Sequence, residues 1–145
     1  MTRLLKIALA ASLAFAPALA SADDKDVIDY REHVMNTLSE QAGALGQILS
    51  TAIPDANATA HLEILALTAS TALKAFEPKV QGGESKPEVW TKWDDFSARM
   101  KDFQTKTAGA AKMAKEKGAQ AAMANILDVL TCKSCHDIYR DEKKK

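Results

Sequence analysis

Apolar side chains recur at steps of three and four in four successive stretches of this chain, and no stretch alternates polar with apolar as a half-buried strand does. That pattern restricts the fold to packed helices. In the first stretch Val27, Tyr30, Val34, Leu38, Leu45, Ile48 or Leu49, and Ala52 follow one face from Asp24 until Pro54 ends it. Asp55 is placed to cap the second, whose face is Leu62, Leu65, Ala69, Leu73 and Phe76 before Pro78 stops it. Residues 77 to 91 contain Pro78, Pro87 and the pair Gly82-Gly83 with hardly any periodicity, and read as the one long loop. The third stretch places Trp93, Phe96, Met100, Phe103, Thr107, Ala110 and Ala114 on one face, with Thr91 and Asp94 in capping-box positions, and ends near Gly118. The fourth carries two adjoining stripes, Met123, Ile126, Leu127 and Leu130 beside Val129, Cys132, His136 and Tyr139. One stripe suffices for packing on a bundle; the second calls for a partner of its own. The expected fold is all-α, an antiparallel four-helix bundle of helices about 20 residues long.

The two ends bound the compartment. The chain starts with Arg3 and Lys6 ahead of an uncharged run from Ile7 to Phe15, followed by small residues at Ala18, Ala20 and Ala22. This is the layout of a secretory signal peptide over residues 1–22, cleaved after Ala20 or Ala22. Its apolar run is too short for the ~20 residues that span a bilayer, so export to the periplasm without a membrane anchor is expected. Residues 23–145 then make a single domain of ordinary size. Loss of Arg3 and Lys6 from the 19 basic residues leaves 17 against 19 acidic ones, so the basic excess of a nucleic-acid binder is missing.

The two cysteines of the chain stand together in Cys132-Lys133-Ser134-Cys135-His136. A thioredoxin-like redox pair needs a βαβ setting, and a closed zinc site needs four ligands; this chain provides neither a strand pattern nor more than three scattered histidines. A disulfide between the two stays open in an oxidising compartment, although so short a loop contributes little as a staple. The remaining reading is covalent attachment of c-type haem, for which Cys-x-x-Cys-His is the signature. On a helix, thiols three residues apart can reach the two vinyl groups of one porphyrin while the next imidazole reaches the iron.

The ending Cys132-Lys133-Ser134-Cys135-His136-Asp137-Ile138-Tyr139-Arg140, the pair Tyr30-Arg31, and Phe76 with Gly82-Gly83-Glu84-Ser85-Lys86-Pro87-Glu88-Val89-Trp90 together resemble the class II cytochromes c, the cytochrome c′ family. The resemblance spans the whole chain that follows the expected signal peptide. It implies a four-helix bundle around one covalently bound haem c and its iron, with Cys132 and Cys135 as attachment points and His136 as one axial ligand. In that family the residue four after the first-helix arginine faces the iron from the other side. Here it is Met35, which implies the Met-ligated, low-spin cytochrome c-556 subgroup and an electron carrier with six-coordinate His/Met iron. The alternative is a five-coordinate gas-binding protein that takes nitric oxide or carbon monoxide.

The same resemblance implies that Arg31 contacts a haem propionate, that Glu84 belongs to the pocket, and that Phe76 and Trp90 pack nearby. Arg140, one turn past His136, would set positive charge beside the imidazole. With Lys133 and Lys143 to Lys145 it would form a basic rim where redox partner proteins dock. His33 and His61 are expected at the surface, and Met100, Met113 and Met123 in the core. A homodimer through helices 1 and 2 is implied by the family, with the small residues Gly43, Ala44 and Gly46 on the first helix. No acid, base or nucleophile is arranged as in an enzyme.

Overall fold

Helix α1 (Asp24–Leu49) begins where the Asp23 carboxylate accepts the amide of Asp26, and Asp24 and Asp26 add negative charge to its first turn. The computed structural model describes residues 23–142, so the expected signal peptide at 1–22 and Lys143 to Lys145 lie outside the described residues. Along α1 the buried residues are Arg31, Val34, Leu38, Leu45 and Ile48, so the expected apolar face holds from Val34 to Ile48 with an arginine set beside it, while Tyr30, expected on that face, is exposed and Val27 half-buried. The helix stops at Leu49 rather than at Pro54. Ser50 N–H closes on Gly46 O at 3.0 Å, and Thr51 turns the chain with a φ of 61°.

Asp55 does not cap the second helix. Asp55–Asn57 form a 3₁₀ turn of their own, and α2 (Ala58–Ala72) follows without a side-chain cap. Helix α2 buries Ala58, Leu62, Leu65, Ala69 and Ala72 against both α1 and the third long helix, and a 3₁₀ turn, Leu73–Phe76, extends it. Past the glycine loop a single turn, α3 (Glu88–Thr91), precedes α4 (Trp93–Lys117). Because Thr91 lies inside α3, the expected capping box with Asp94 is not made, and Lys92 stands at the cap position with no side-chain bond. Gly118, with φ +89°, ends α4 where a side chain would be strained.

The fourth helix departs most from expectation. It is broken into α5 (Ala119–Met123), α6 (Ile126–Val129) and α7 (Cys132–Tyr139). The breaks fall at Asn125, whose φ and ψ are −116° and 14°, and at Leu130, at −84° and 53°. Asparagine competes for nearby backbone groups and so tolerates a helix end there. Each break re-aims the next segment: Ile126 and Val129 are buried, while Leu127, expected on a core stripe, is 71% exposed. The re-aiming also frees α7 from the line of α5. The bundle therefore has three long helices and one jointed one. Among the described residues no helix is long and apolar enough to cross a membrane.

Candidate functional site

Helix α7 holds Cys132, Cys135 and His136 at positions i, i+3 and i+4, which fall on one side of a helix. All three line a cavity of about 630 Å³, within the usual range of roughly 300–1,000 Å³ for small-molecule sites. Met35, half-buried on α1, borders the same cavity, as do the apolar side chains of Leu38, Leu65, Phe103 and Leu130. A smaller cavity of about 230 Å³ shares Met35, Met100, Cys135 and His136 with the first, and includes Arg31, Phe76 and Glu84. The expected axial pair thus faces common space from two helices about 100 residues apart in the chain. The two thiols are unbridged.

Burial pushes the Cys132 thiol up, so it is held protonated. Burial, and then the charge of Arg140, push His136 down. The imidazole is therefore kept neutral, the form in which a ring nitrogen offers its lone pair to a metal. Arg140 does place positive charge beside His136, and it also lies 3.9 Å from Glu84. Lys133 is paired with Asp137 at 2.7 Å, so the described part of the expected basic rim is largely neutralised locally.

Arg31 is 2% exposed. Its Nη1 donates to Val80 O and its Nη2 to Gly82 O, both at 3.0 Å, and its guanidinium lies 5.2 Å from the ring centroids of both Phe76 and Trp90. The Trp90 indole N–H in turn donates to Phe76 O at 3.0 Å. A cation between two aromatic faces with its N–H groups on carbonyls is a stable way to bury a charge. Arg31 thereby clamps the glycine loop to α1. The fit is close: a Cβ on Gly82, at φ +135°, would lie 2.7 Å from Ile28 Cδ1, and one on Gly83 would lie 2.6 Å from Glu32 Oε1. The far side of the loop is bonded to the end of α7, through Lys86 N–H to Tyr139 O at 3.0 Å and Asp141 N–H to Glu84 O at 2.8 Å. Phe76 borders the smaller cavity as expected, whereas Trp90 borders neither and serves the Arg31 clamp.

Several residues at the site were not singled out from the sequence. Met100, expected only as core, lines both cavities. Asp95 and Arg99 of α4 line the larger one. Asp95 Oδ2 accepts Arg99 Nε at 2.7 Å and the hydroxyl of Tyr139, the one buried residue of α7. In the sequence Asp95 and Arg99 look like an ordinary i,i+4 surface pair, and only the third partner gives them a role. Of the histidines, His33 is exposed as expected, but His61 is half-buried and its Nδ1 lies 2.8 Å from Gln41 Oε1, joining α2 to α1.

Comparison with known proteins places this geometry. The family described as Cytochrome C′ matches residues 26–140. The cytochrome c′ of Pararhodospirillum photometricum is 32% identical over 123 residues, covering 79% of this chain and 95% of its own. That of Alcaligenes xylosoxydans xylosoxydans is 27% identical over 127 residues, covering 84% and 98%. Among solved structures, a ferrous arginine-to-lysine variant of the Alcaligenes xylosoxidans protein with bound nitric oxide superposes with a TM-score of 0.76 at 25% identity, covering 86% of this chain and all of that one. Cytochrome c′ from Shewanella frigidimarina gives 0.73 at 25% identity, covering 85% and 100%. These relatives carry the name cytochrome c′ and not that of the c-556 subgroup. On the family match, the shared bundle and the cavity faced by its cysteines and histidine, this chain belongs to the cytochrome c′ family, four-helix bundles that bind covalently attached haem c with iron.

Proposed function

We propose that this chain is an exported, periplasmic haem c protein that binds a diatomic gas, nitric oxide or carbon monoxide, on the side of the site bordered by Met35. The donor set fits the group. Two unbridged thiols, that of Cys132 held protonated by burial, and a neutral imidazole face one largely apolar cavity, with a thioether on a second helix. Cys132 and Cys135 would hold the group through thioether bonds, His136 would supply one axial nitrogen, and Arg31 and Glu84 would stand toward its acidic edge. When bound, the group supplies an iron that takes a diatomic ligand or exchanges one electron. The chain's own contribution is to orient His136, exclude water with Leu38, Leu65 and Phe103, and set the resistance at Met35. The observation that carries the gas reading is the match to cytochrome c′ structures, including one with bound nitric oxide, combined with a cavity at the Met35 wall. A methionine side chain has three rotatable bonds and can move aside from such a wall.

Export follows the signal-peptide reading, with cleavage after Ala20 or Ala22 and a single domain over 23–145; the start of α1 at Asp24 supports that boundary. Binding rather than turnover is the proposed activity, so the protein is not an enzyme. A homodimer through α1 and α2 belongs to the same proposal, since added side-chain atoms at Gly43 and Gly46 would meet nothing within 4 Å.

A second reading, the electron carrier with six-coordinate His/Met iron of the c-556 kind, is favoured by Met35 itself, a thioether sharing both cavities with His136. Absorption spectra of the purified protein decide between them. Gas binding predicts high-spin character in the ferric form and rapid carbon monoxide binding by the ferrous form. A ferric form that is low-spin, and becomes high-spin only in Met35→Ala, overturns it in favour of the carrier.

A further inference from the structure

The wall that carries His136 is held at very few points. Helix α7 has eight residues, begins at Thr131 without a side-chain cap, and buries only Tyr139. Tyr139 lies three residues past His136 and four past Cys135, hence on their side of the helix. Its ring packs edge-on to Phe96 at a centroid distance of 5.1 Å. Its hydroxyl donates to Asp95 Oδ2, which also accepts Arg99 Nε at 2.7 Å. Ring packing alone would leave the hydroxyl without purpose in a buried position, and phenylalanine would serve. A charge-assisted bond to a carboxylate is directional and about twice as strong as a neutral one. Asp95 sits on α4, a helix of 25 residues packed against α2, so the bond refers α7 to a rigid element. The backbone bonds from Lys86 N–H to Tyr139 O at 3.0 Å and from Asp141 N–H to Glu84 O at 2.8 Å hold the same end of α7 to the glycine loop, whereas the Tyr139 hydroxyl is the side-chain bond that refers it to α4.

We propose that Asp95 and Tyr139 are a positioning pair for His136, fixing the rotation of α7 and so the direction in which the imidazole enters the cavity, with Arg99 orienting the Asp95 carboxylate. This rests on the reading of His136 as an axial ligand. Asp95 borders the larger cavity and Tyr139 the smaller one, but the role proposed for them is exerted through the helix that bears His136.

The test uses the purified haem-loaded protein and reads the paramagnetically shifted ring-proton resonances of the axial histidine in the ferric form, together with the reduction midpoint. Tyr139→Phe removes the tie while keeping the charge of Asp95, and Asp95→Asn removes the charge while keeping a carbonyl oxygen to accept the hydroxyl. Positioning predicts that Tyr139→Phe and Asp95→Ala shift the histidine resonances alike, that the double variant shifts them no further, and that Asp95→Asn stays near wild type in these resonances even though its midpoint rises. Resonances unchanged in both Tyr139→Phe and Asp95→Ala overturn the proposal, whatever happens to their unfolding midpoints. A pattern in which Asp95→Asn shifts the resonances and Tyr139→Phe does not overturns it too, in favour of a purely electrostatic effect. If the wild-type protein has no shifted histidine resonances at all, it is the axial assignment of His136 that has failed, a result distinct from either.

Discussion

The two walls of the cavity are built in opposite ways. Helix α1 brings Met35 to the site from a run of 26 residues that is capped at Asp23, buries five side chains and is clamped to the glycine loop by Arg31. Helix α7 brings His136 from eight residues with no side-chain cap and one buried side chain. Local stability follows buried contacts, so the α1 wall should open only with the whole bundle while the α7 wall can open by itself. The difference also suits covalent attachment. A wall whose two thiols would, as proposed, bind a rigid planar group needs little packing of its own once the group is in place, whereas the wall bearing an unattached thioether must be held by the protein alone.

The comparison can be broken first in the α1 wall. Leu45 is fully buried, and Leu45→Ala should lower the stability of the bundle by about 3 kcal/mol, the middle of the range for cavity-forming substitutions. Urea unfolding measures it, and the loss should appear equally in probes on α2 and α4. Arg31→Met is expected next, at about 2 kcal/mol, because the carbonyls of Val80 and Gly82 lose their charged donors while the thioether side chain keeps part of the packing between Phe76 and Trp90. Its mark should be local: amide exchange in residues 80–86 should speed up more than in α2. Equal acceleration in both would mean that the loop is held by something other than Arg31.

The three long helices were legible because each keeps its apolar period over many turns, so a few off-face residues do not hide the pattern. The jointed fourth helix was not, since neither Asn125 nor Leu130 carries the glycine or proline that marks a break, and both stripes remain periodic when the helix is imagined whole. Caps at Asp55 and Thr91 were expected from residue type, yet a 3₁₀ turn and a one-turn helix took those positions instead. At the site, Cys132, Cys135 and His136 are adjacent in sequence, so their clustering needs no fold to reveal it. Met35 could be placed only by its spacing from Arg31. What Arg31 itself bonds was out of reach, because its partners are backbone carbonyls 49 and 51 residues away, and a carbonyl has no residue type. Met100 and Asp95 were hidden for the opposite reason: a core methionine and a helical acid–base pair both have commonplace explanations that suffice until the cavity is seen.

The smallest effect concerns the α7 wall and its pH dependence. Tyr139→Phe should cost about 1 kcal/mol near neutrality, the usual net value of one hydrogen bond. Burial, then the bond to Asp95 and its charge, push the Tyr139 phenol from an ordinary 10.0 up to about 12. The folded state thus favours the protonated hydroxyl, and the stability this adds is complete below pH 10 and disappears as the pH rises through 12. The gap between wild type and Tyr139→Phe should accordingly stay constant from pH 6 to about 9 and close above it. On the acid side Asp95 is held below the ordinary carboxylate range by Arg99 and then Tyr139, so its contribution persists until the pH falls through that lowered value. Urea midpoints of the two proteins across this range measure the gap. A gap that does not change between pH 9 and 12 would place the phenol near its ordinary value and remove Asp95 as its partner. A gap near zero at every pH would mean that the ring contact with Phe96, which Tyr139→Phe keeps, holds α7 without the hydroxyl.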